Sequence, residues 1–262
     1  MRVNILGCGV MGSQIAGLMS ILGYDVQVWN RSNDAKVKDK LNNAIRLIKR
    51  SVKGTGSTGN ISFVDSITDL MPALTIESLI EDLDFKKELI KSLPYDVSSC
   101  GLLTNTSSID PEKIYPNAIG FHFYNPIYAV KLIEISKNIN DLSSSLKALV
   151  QHIKDSGFDV IEVNHNAGYI GNYILFQEIS AAFKLVDIYG YDCVQIDKIT
   201  FALGRQSSIF DIIDLIGIDV AKLIMGNLHG IDASFYVSPC FERALTGGVY
   251  GRKNRTSIRS IL

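Results

Sequence analysis

The chain has 262 residues, 47% of them apolar, and a formal net charge of −1. That is enough for one large or two modest domains with an ample core, and the balanced charge gives no reason to expect nucleic acid or a membrane surface as a partner. The four cysteines (Cys8, Cys100, Cys193, Cys240) lie far apart with neither metal-type nor disulfide spacing. No apolar run is long enough to span a bilayer, and the N-terminus enters a strand pattern without a signal peptide, so a reducing cytoplasm and no metal are expected.

Arg2–Leu6 reads as a short apolar strand. Gly7, Gly9 and Gly12 follow at once in a G-x-G-x-x-G turn that also carries Met11, and an apolar-periodic helix then ends near Gly23. Asp25–Trp29 supplies a second strand and completes a βαβ unit. The glycines permit a tight turn, close approach of backbone to a pyrophosphate and close helix–strand packing, while the helix N-terminus favours negative charge. The segment therefore reads as a dinucleotide site. Where a cofactor with free ribose hydroxyls usually meets Asp or Glu, this chain has Asn30-Arg31-Ser32. Loss of the carboxylate removes repulsion of a 2′-phosphate; Arg31 could pair with it and Ser32 could donate to it, which favours NADP over NAD. The alternative is a solvated loop in which Asn30 still bonds the ribose.

Ala35–Lys53 is a basic helix, read chiefly as a solvated face, with Lys49–Lys53 as a candidate contact for the phosphates of coenzyme A or a phosphopantetheine arm. A Gly/Ser/Thr loop, Gly54–Asn60, leads to strands near Ile61–Val64 and Leu74–Ile76 and then to Glu77–Leu93, helical in its later part. Leu102–Asn105 is another strand, running into Thr106-Ser107-Ser108 where an open α/β sheet binds ligands; otherwise these polar residues cap the helix after Pro111. Ile119–Phe123 and Val130–Ile135 read as strands around the turn signal Asn125-Pro126. His122 and Glu134 each lie six residues from Tyr128, so a reversal there makes them cross-strand partners. A carboxylate beside an imidazole fixes its tautomer and stabilises its protonated form, as a general base requires. A helix over Leu142–Ser156 and a strand over Asp159–Glu162 complete this region, and beyond about residue 165 nearly everything reads as helix. Of these helices, Tyr169–Tyr189 is too apolar around its circumference for a surface helix and should be covered by another domain or subunit. The fold class is thus α/β: a doubly wound domain over 1–165 followed by a smaller all-α domain over 166–262.

Over nearly its whole length the chain resembles the 3-hydroxyacyl-CoA dehydrogenase family. The matching stretches are GCGVMGSQIA, ESLIEDLDFKKEL, LLTNTSSI, GFHFYNPIYAVKLIEI, AGYIGNYIL and DIIDLIGIDV, in the family's order. The resemblance implies a Rossmann-type domain and a helical domain that dimerises. It also implies that His122 is the catalytic base and Glu134 its partner, that Ser107 and Asn172 hold the reacting oxygen with Asn125 nearby, and that Glu81 and Lys86, with Asn105, line the nicotinamide side. Three stretches depart from the family pattern: the arm over Ala35–Asn60 is short, Ser207-Ser208-Ile209 stands in place of a Pro- and Gly-containing run, and the C-terminus lacks its aromatic ending. Three readings follow: a dehydrogenase of short 3-hydroxyacyl-CoA, the same chemistry on an acyl-carrier-protein thioester, and a non-catalytic dinucleotide binder.

Overall fold

The protein is described from a computed structural model, over residues 1–53, 57–164 and 168–262. It divides into two compact units, Met1–Asn166 and Ala167–Leu262. The boundary expected near residue 165 and the start of the Gly54–Asn60 loop lie outside the described residues.

The first unit alternates strands and helices: β1 (Arg2–Leu6), α1 (Val10–Ile21), β2 (Asp25–Trp29), α2 (Ala35–Lys49), β3 (Ile61–Val64), β4 (Leu74–Glu77), α3 (Leu83–Lys91) and α4 (Val97–Cys100). It continues with β5 (Leu102–Thr104), α5 (Pro111–Ile114), β6 (Ile119–Phe123), β7 (Leu132–Ile135), α6 (Ser144–Asp155) and β8 (Asp159–Glu162). The eight strands form one sheet in the order β3-β2-β1-β4-β5-β6-β7-β8. All neighbours are parallel except β6 and β7. The order reverses between β1 and β4, and a crevice outside the carboxyl ends of the strands at such a point is where open α/β sheets take ligands. The short strands are continuous apolar runs because helices cover both faces, as for Val3, Ile5, Leu6, Val26, Val28 and Ile76, all buried. Helix α1 is buried from Gly12 to Ile21, which explains why its sequence is apolar all round.

Several boundaries differ from the sequence reading for local reasons. Helix α2 stops at Lys49 rather than Lys53, where the Arg50 and Ser51 N–H groups bond to the Leu47 and Ile48 carbonyls three residues back and tighten the last turn. Strand β7 starts at Leu132 rather than Val130, since the Ala129 and Val130 N–H groups close a turn onto the Pro126 carbonyl. Strand β4 extends to Glu77, one residue past the expected end. Helix α5 is capped by Asp110, whose carboxylate accepts from the Glu112 N–H, so Thr106-Ser107-Ser108 do not serve as its cap.

The second unit is helical: α7 (Gly171–Asp187), α8 (Cys193–Ala202), α9 (Ile209–Ile216), α10 (Ile218–His229) and α11 (Cys240–Thr246). Its core is aromatic, with Phe183 stacked on Phe241 at 4.9 Å and edge-on to Phe210 at 5.7 Å. The C-terminal turn is fastened by Arg259, which donates to Asp197 at 2.5 Å and to the Ser208 hydroxyl at 2.6 Å. Its guanidinium also lies over the Phe210 ring at 5.2 Å. Ser208, from the stretch that departs from the family pattern, thus caps α9 and anchors the C-terminus as well. Helix α7 buries Phe176, Ile179 and Phe183 but exposes Tyr173 and Ile174, so it is not enclosed on all sides within this chain. Among the described residues no helix is long and apolar enough to cross a membrane.

Candidate active site

Strands β6 and β7 are antiparallel, with His122 directly opposite Glu134. Directly opposed residues share a face of the sheet with Cβ atoms about 5 Å apart. The side chains meet: His122 Nδ1 lies 2.9 Å from Glu134 Oε2, and both residues are buried. The carboxylate can only accept, so Nδ1 carries the proton of this bond. The Tyr124 ring packs against the imidazole, 4.8 Å between centroids.

Two groups hold the end of β6. Asn105, just past β5, accepts the Phe123 N–H at 2.9 Å. Gln14, on α1, accepts the Ile127 N–H at 2.8 Å and donates to Asn125 Oδ1 at 3.0 Å. The turn after His122 is therefore seated on the helix that follows the glycine turn.

That glycine turn has the shape of a nucleotide cradle. Gly7, at φ +92°, sits where a Cβ would come within 2.5 Å of the Ser78 carbonyl oxygen, and a Cβ on Gly12 would fall 1.9 Å from the Gly7 oxygen. Both positions are closed to side chains by the protein itself. Gly9 is different: a Cβ there meets nothing within 4 Å. Its φ of −68° suits any residue, so what its missing side chain leaves open is space above the first turn of α1, which has no side-chain cap. A pyrophosphate fits that space and the unpaired N–H groups of a helix start. Met11 follows on the first turn of α1, partly buried against the core.

At the end of β2, Asn30 is turned inward: its Oδ1 accepts the Cys8 N–H at 2.9 Å and its Nδ2 donates to the Ser32 carbonyl at 2.5 Å. Ser32 directs its hydroxyl to Asp34, the cap of α2, at 3.1 Å. Arg31 is exposed beside them. Burial pushes the Cys8 thiol up to about 11, so it is neutral within the turn.

Beneath the site lies a buried ionic cluster that sequence reasoning saw only in part. Glu77, at the end of β4, takes the Lys86 ammonium at 2.6 Å, the Leu79 N–H at 2.5 Å and the Thr104 hydroxyl at 2.5 Å. Lys86 also lies 3.4 Å from Glu81. Glu81 in turn accepts from the Thr106 hydroxyl and from the Ser108 N–H and hydroxyl, at 3.2 and 2.7 Å for the latter two. Burial alone raises a carboxyl, yet for Glu81 the Lys86 charge and the Thr106 and Ser108 hydrogen bonds outweigh it and hold the group below its usual range. Burial likewise works against the Lys86 ammonium, and the Glu77 and Glu81 carboxylates more than offset it, so Lys86 is raised. This cluster fixes Thr106 and Ser108 on either side of Ser107, at the carboxyl end of β5. Glu77, Gln14 and Thr104 were not singled out from sequence; each is a polar residue set in an apolar run. Asn172 belongs to the second unit, in the first turn of α7. Among the described residues no group of three or more His, Cys, Asp and Glu could hold a metal ion.

Comparison with known proteins points to one family. Residues 2–166 match the family model of the 3-hydroxyacyl-CoA dehydrogenase NAD binding domain, and residues 168–259 that of the C-terminal domain. A probable 3-hydroxybutyryl-CoA dehydrogenase of Deinococcus radiodurans is 25% identical over 271 residues, covering 97% of this chain and 98% of its own. The mitochondrial hydroxyacyl-coenzyme A dehydrogenase of Sus scrofa is 25% identical over 278 residues, covering 96% and 88%. The crystal structure of (S)-3-hydroxybutyryl-CoA dehydrogenase from Ralstonia eutropha shares the fold at a TM-score of 0.76 and 24% identity, covering 98% of this chain and 97% of its own.

Proposed function

The chain belongs to the 3-hydroxyacyl-CoA dehydrogenase family of NAD-dependent oxidoreductases, and on that premise we propose that it interconverts a short 3-hydroxyacyl-CoA and its 3-oxoacyl form with His122 as the acid–base group. The observation that carries the reading is the His122–Glu134 pair at 2.9 Å in a buried setting. The bound dinucleotide supplies a hydride acceptor at the nicotinamide ring. His122 takes the proton of the 3-hydroxyl on Nε2 during oxidation and returns it during reduction. Glu134 holds the ring in the tautomer that leaves Nε2 able to accept, and balances the charge the imidazole gains. Ser107 and Asn172 are proposed to orient the reacting oxygen, Ser107 from the end of β5 and Asn172 from α7. Gly7, Gly9, Met11 and Gly12 would take the pyrophosphate, while Glu81, Lys86 and Asn105 shape the nicotinamide side.

The size of the acyl group is read from the relatives, two of which are named for 3-hydroxybutyryl-CoA. All four cysteines are free thiols, which supports a reducing compartment such as the cytoplasm. A preference for NADP over NAD rests on the missing carboxylate at Asn30 and on the exposed Arg31; against it, Ser32 spends its hydroxyl on Asp34. Titration of wild type and Arg31→Ala with NADH and NADPH tests this, and unchanged NADPH affinity in the variant ends the preference.

The central test is His122→Gln assayed with acetoacetyl-CoA. Proton transfer by a placed side chain contributes about 10²–10⁴-fold. Turnover should fall within that range while dinucleotide affinity holds. Near-normal kcat in the variant would remove His122 from the chemistry.

A further inference from the structure

The inference concerns Gln14, a buried side chain in the middle of a helix, and it rests on the dehydrogenase reading above. Its amide is oriented without ambiguity. The Ile127 N–H, 2.8 Å away, can only donate, so the atom facing it is Oε1. The Val10 carbonyl, 3.2 Å away, can only accept, so the other atom is Nε2. Nε2 lies 3.0 Å from the side-chain amide of Asn125, and a donor there obliges Asn125 to present its oxygen. Asn125 is an exposed residue three positions after His122, and with its Oδ1 taken by Gln14 its remaining side-chain polar atom is the Nδ2 donor.

We propose that Gln14 is a positioning residue that sets the orientation of the Asn125 amide, so that the turn after His122 offers an N–H donor, and not an acceptor, to a carbonyl oxygen of the bound ligands. The backbone of Ile127 thereby decides, through two amides in series, the hydrogen-bonding sign at the site. The carbonyl could be that of the acyl thioester or the carboxamide of the dinucleotide; both are neutral acceptors and both would lose a partner if Asn125 were reversed.

The decisive substitution is Gln14→Glu. The introduced carboxylate still accepts from Ile127 but cannot donate, so Asn125 must rotate, spend its Nδ2 on the carboxylate and present Oδ1 to the site. Loss of one hydrogen bond, about 1.4 kcal/mol, corresponds to about tenfold in kcat/KM. A higher KM for acetoacetyl-CoA identifies the thioester as the ligand, whereas weaker NADH binding identifies the carboxamide. In an Asn125→Ala background Gln14→Glu should cost far less, because no amide remains to be turned and only the local bond to the Val10 carbonyl is lost. An equal loss in both backgrounds would show that Gln14 acts otherwise and overturn the proposal. Where Gln14→Glu perturbs folding, Gln14→Met, which removes all three bonds and so frees the Asn125 amide, carries the same cycle. Side-chain amide NMR of the unliganded protein gives a readout independent of turnover. The Asn125 NH₂ protons should exchange with solvent more slowly in Gln14→Glu than in wild type, since they become bonded to the carboxylate. Unchanged exchange overturns the relay even if the wild type is fully active, and a slowed exchange stands even if acetoacetyl-CoA is not a substrate.

Discussion

At the scale of single residues, Gly9 separates ligand binding from folding more cleanly than any other position. Gly7 and Gly12 are closed by their own protein, since a Cβ on either would strike backbone oxygen at 2.5 and 1.9 Å. Gly9 has open space and an ordinary φ. Gly9→Ala should therefore keep the wild-type melting temperature, or rise slightly by restricting the unfolded chain, yet lose most of its affinity for the dinucleotide. Gly12→Ala should lower the melting temperature itself. Calorimetry paired with fluorescence titration of NADH checks both, and a Gly9→Ala protein that binds NADH normally would show that the pyrophosphate lies elsewhere. Asn30 illustrates the limit of reading one residue in isolation. Its position after β2 marks it as a ribose contact, but its amide is occupied within the protein, holding the Cys8 N–H of the same turn.

At the scale of elements, the carboxyl ends of β4 and β5 are joined by two carboxylates and one ammonium, and the balance of charge gives a definite pH dependence. Glu81 is held below its ordinary range, so its contribution is present above the unfolded carboxyl value of about 4.3 and is lost as pH falls through the folded value. Lys86 is raised, so its contribution is complete below about 10.4 and is lost as pH rises through the folded value. Stability owed to the cluster is thus flat across neutral pH. The melting temperature should drop less steeply below pH 4 in Glu81→Gln than in wild type; parallel acid limbs would show that Glu81 is not the group responsible. Lys86→Met leaves Glu77 and Glu81 without their cation and should cost about 3–5 kcal/mol in denaturant unfolding. The paired strands β6 and β7 were legible in the sequence because a turn signal stood between His122 and Glu134 and counting six residues either way from Tyr128 set the register. Glu77 was not, although it stands in an apolar strand just as Glu134 does. The run Leu74–Ile76 looked complete without it, and neither side-chain partner lies at a sequence distance that a single turn would explain, since Lys86 comes from α3 and Thr104 from β5. Gln14 was hidden in another way. It sits in the apolar stretch of α1, where a lone amide is easily taken for a tolerated polar residue, and two of its three partners, Asn125 and Ile127, lie over a hundred positions away in the chain.

At the scale of the whole molecule, the two units distribute their exposed apolar side chains differently, and this bears on assembly. Both leave some large apolar side chains in water, but in the second unit they gather on and around one helix. On and just beyond α8, Val194, Ile199, Phe201 and Leu203 are 53%, 63%, 47% and 81% exposed. Only Ile196 and Asp197 of that helix are buried. Scattered exposed apolar residues are ordinary, but four within ten positions, with Ile188 and Tyr189 exposed at the end of α7, form the kind of surface that association removes from water. A second copy of this chain suits that surface, because a self-complementary patch needs no partner of different composition. Val194 and Phe201 are seven residues apart and Ile199 and Leu203 four, so each pair shares a helix face and one charge on each face should suffice to disrupt packing. Sedimentation velocity should find the wild type as a concentration-dependent dimer, and Ile199→Glu or Val194→Glu should be a monomer with its melting temperature little changed at low protein concentration. A wild type that remains monomeric at millimolar concentration would refute dimerisation through α8, and the apolar face would then need a different cover.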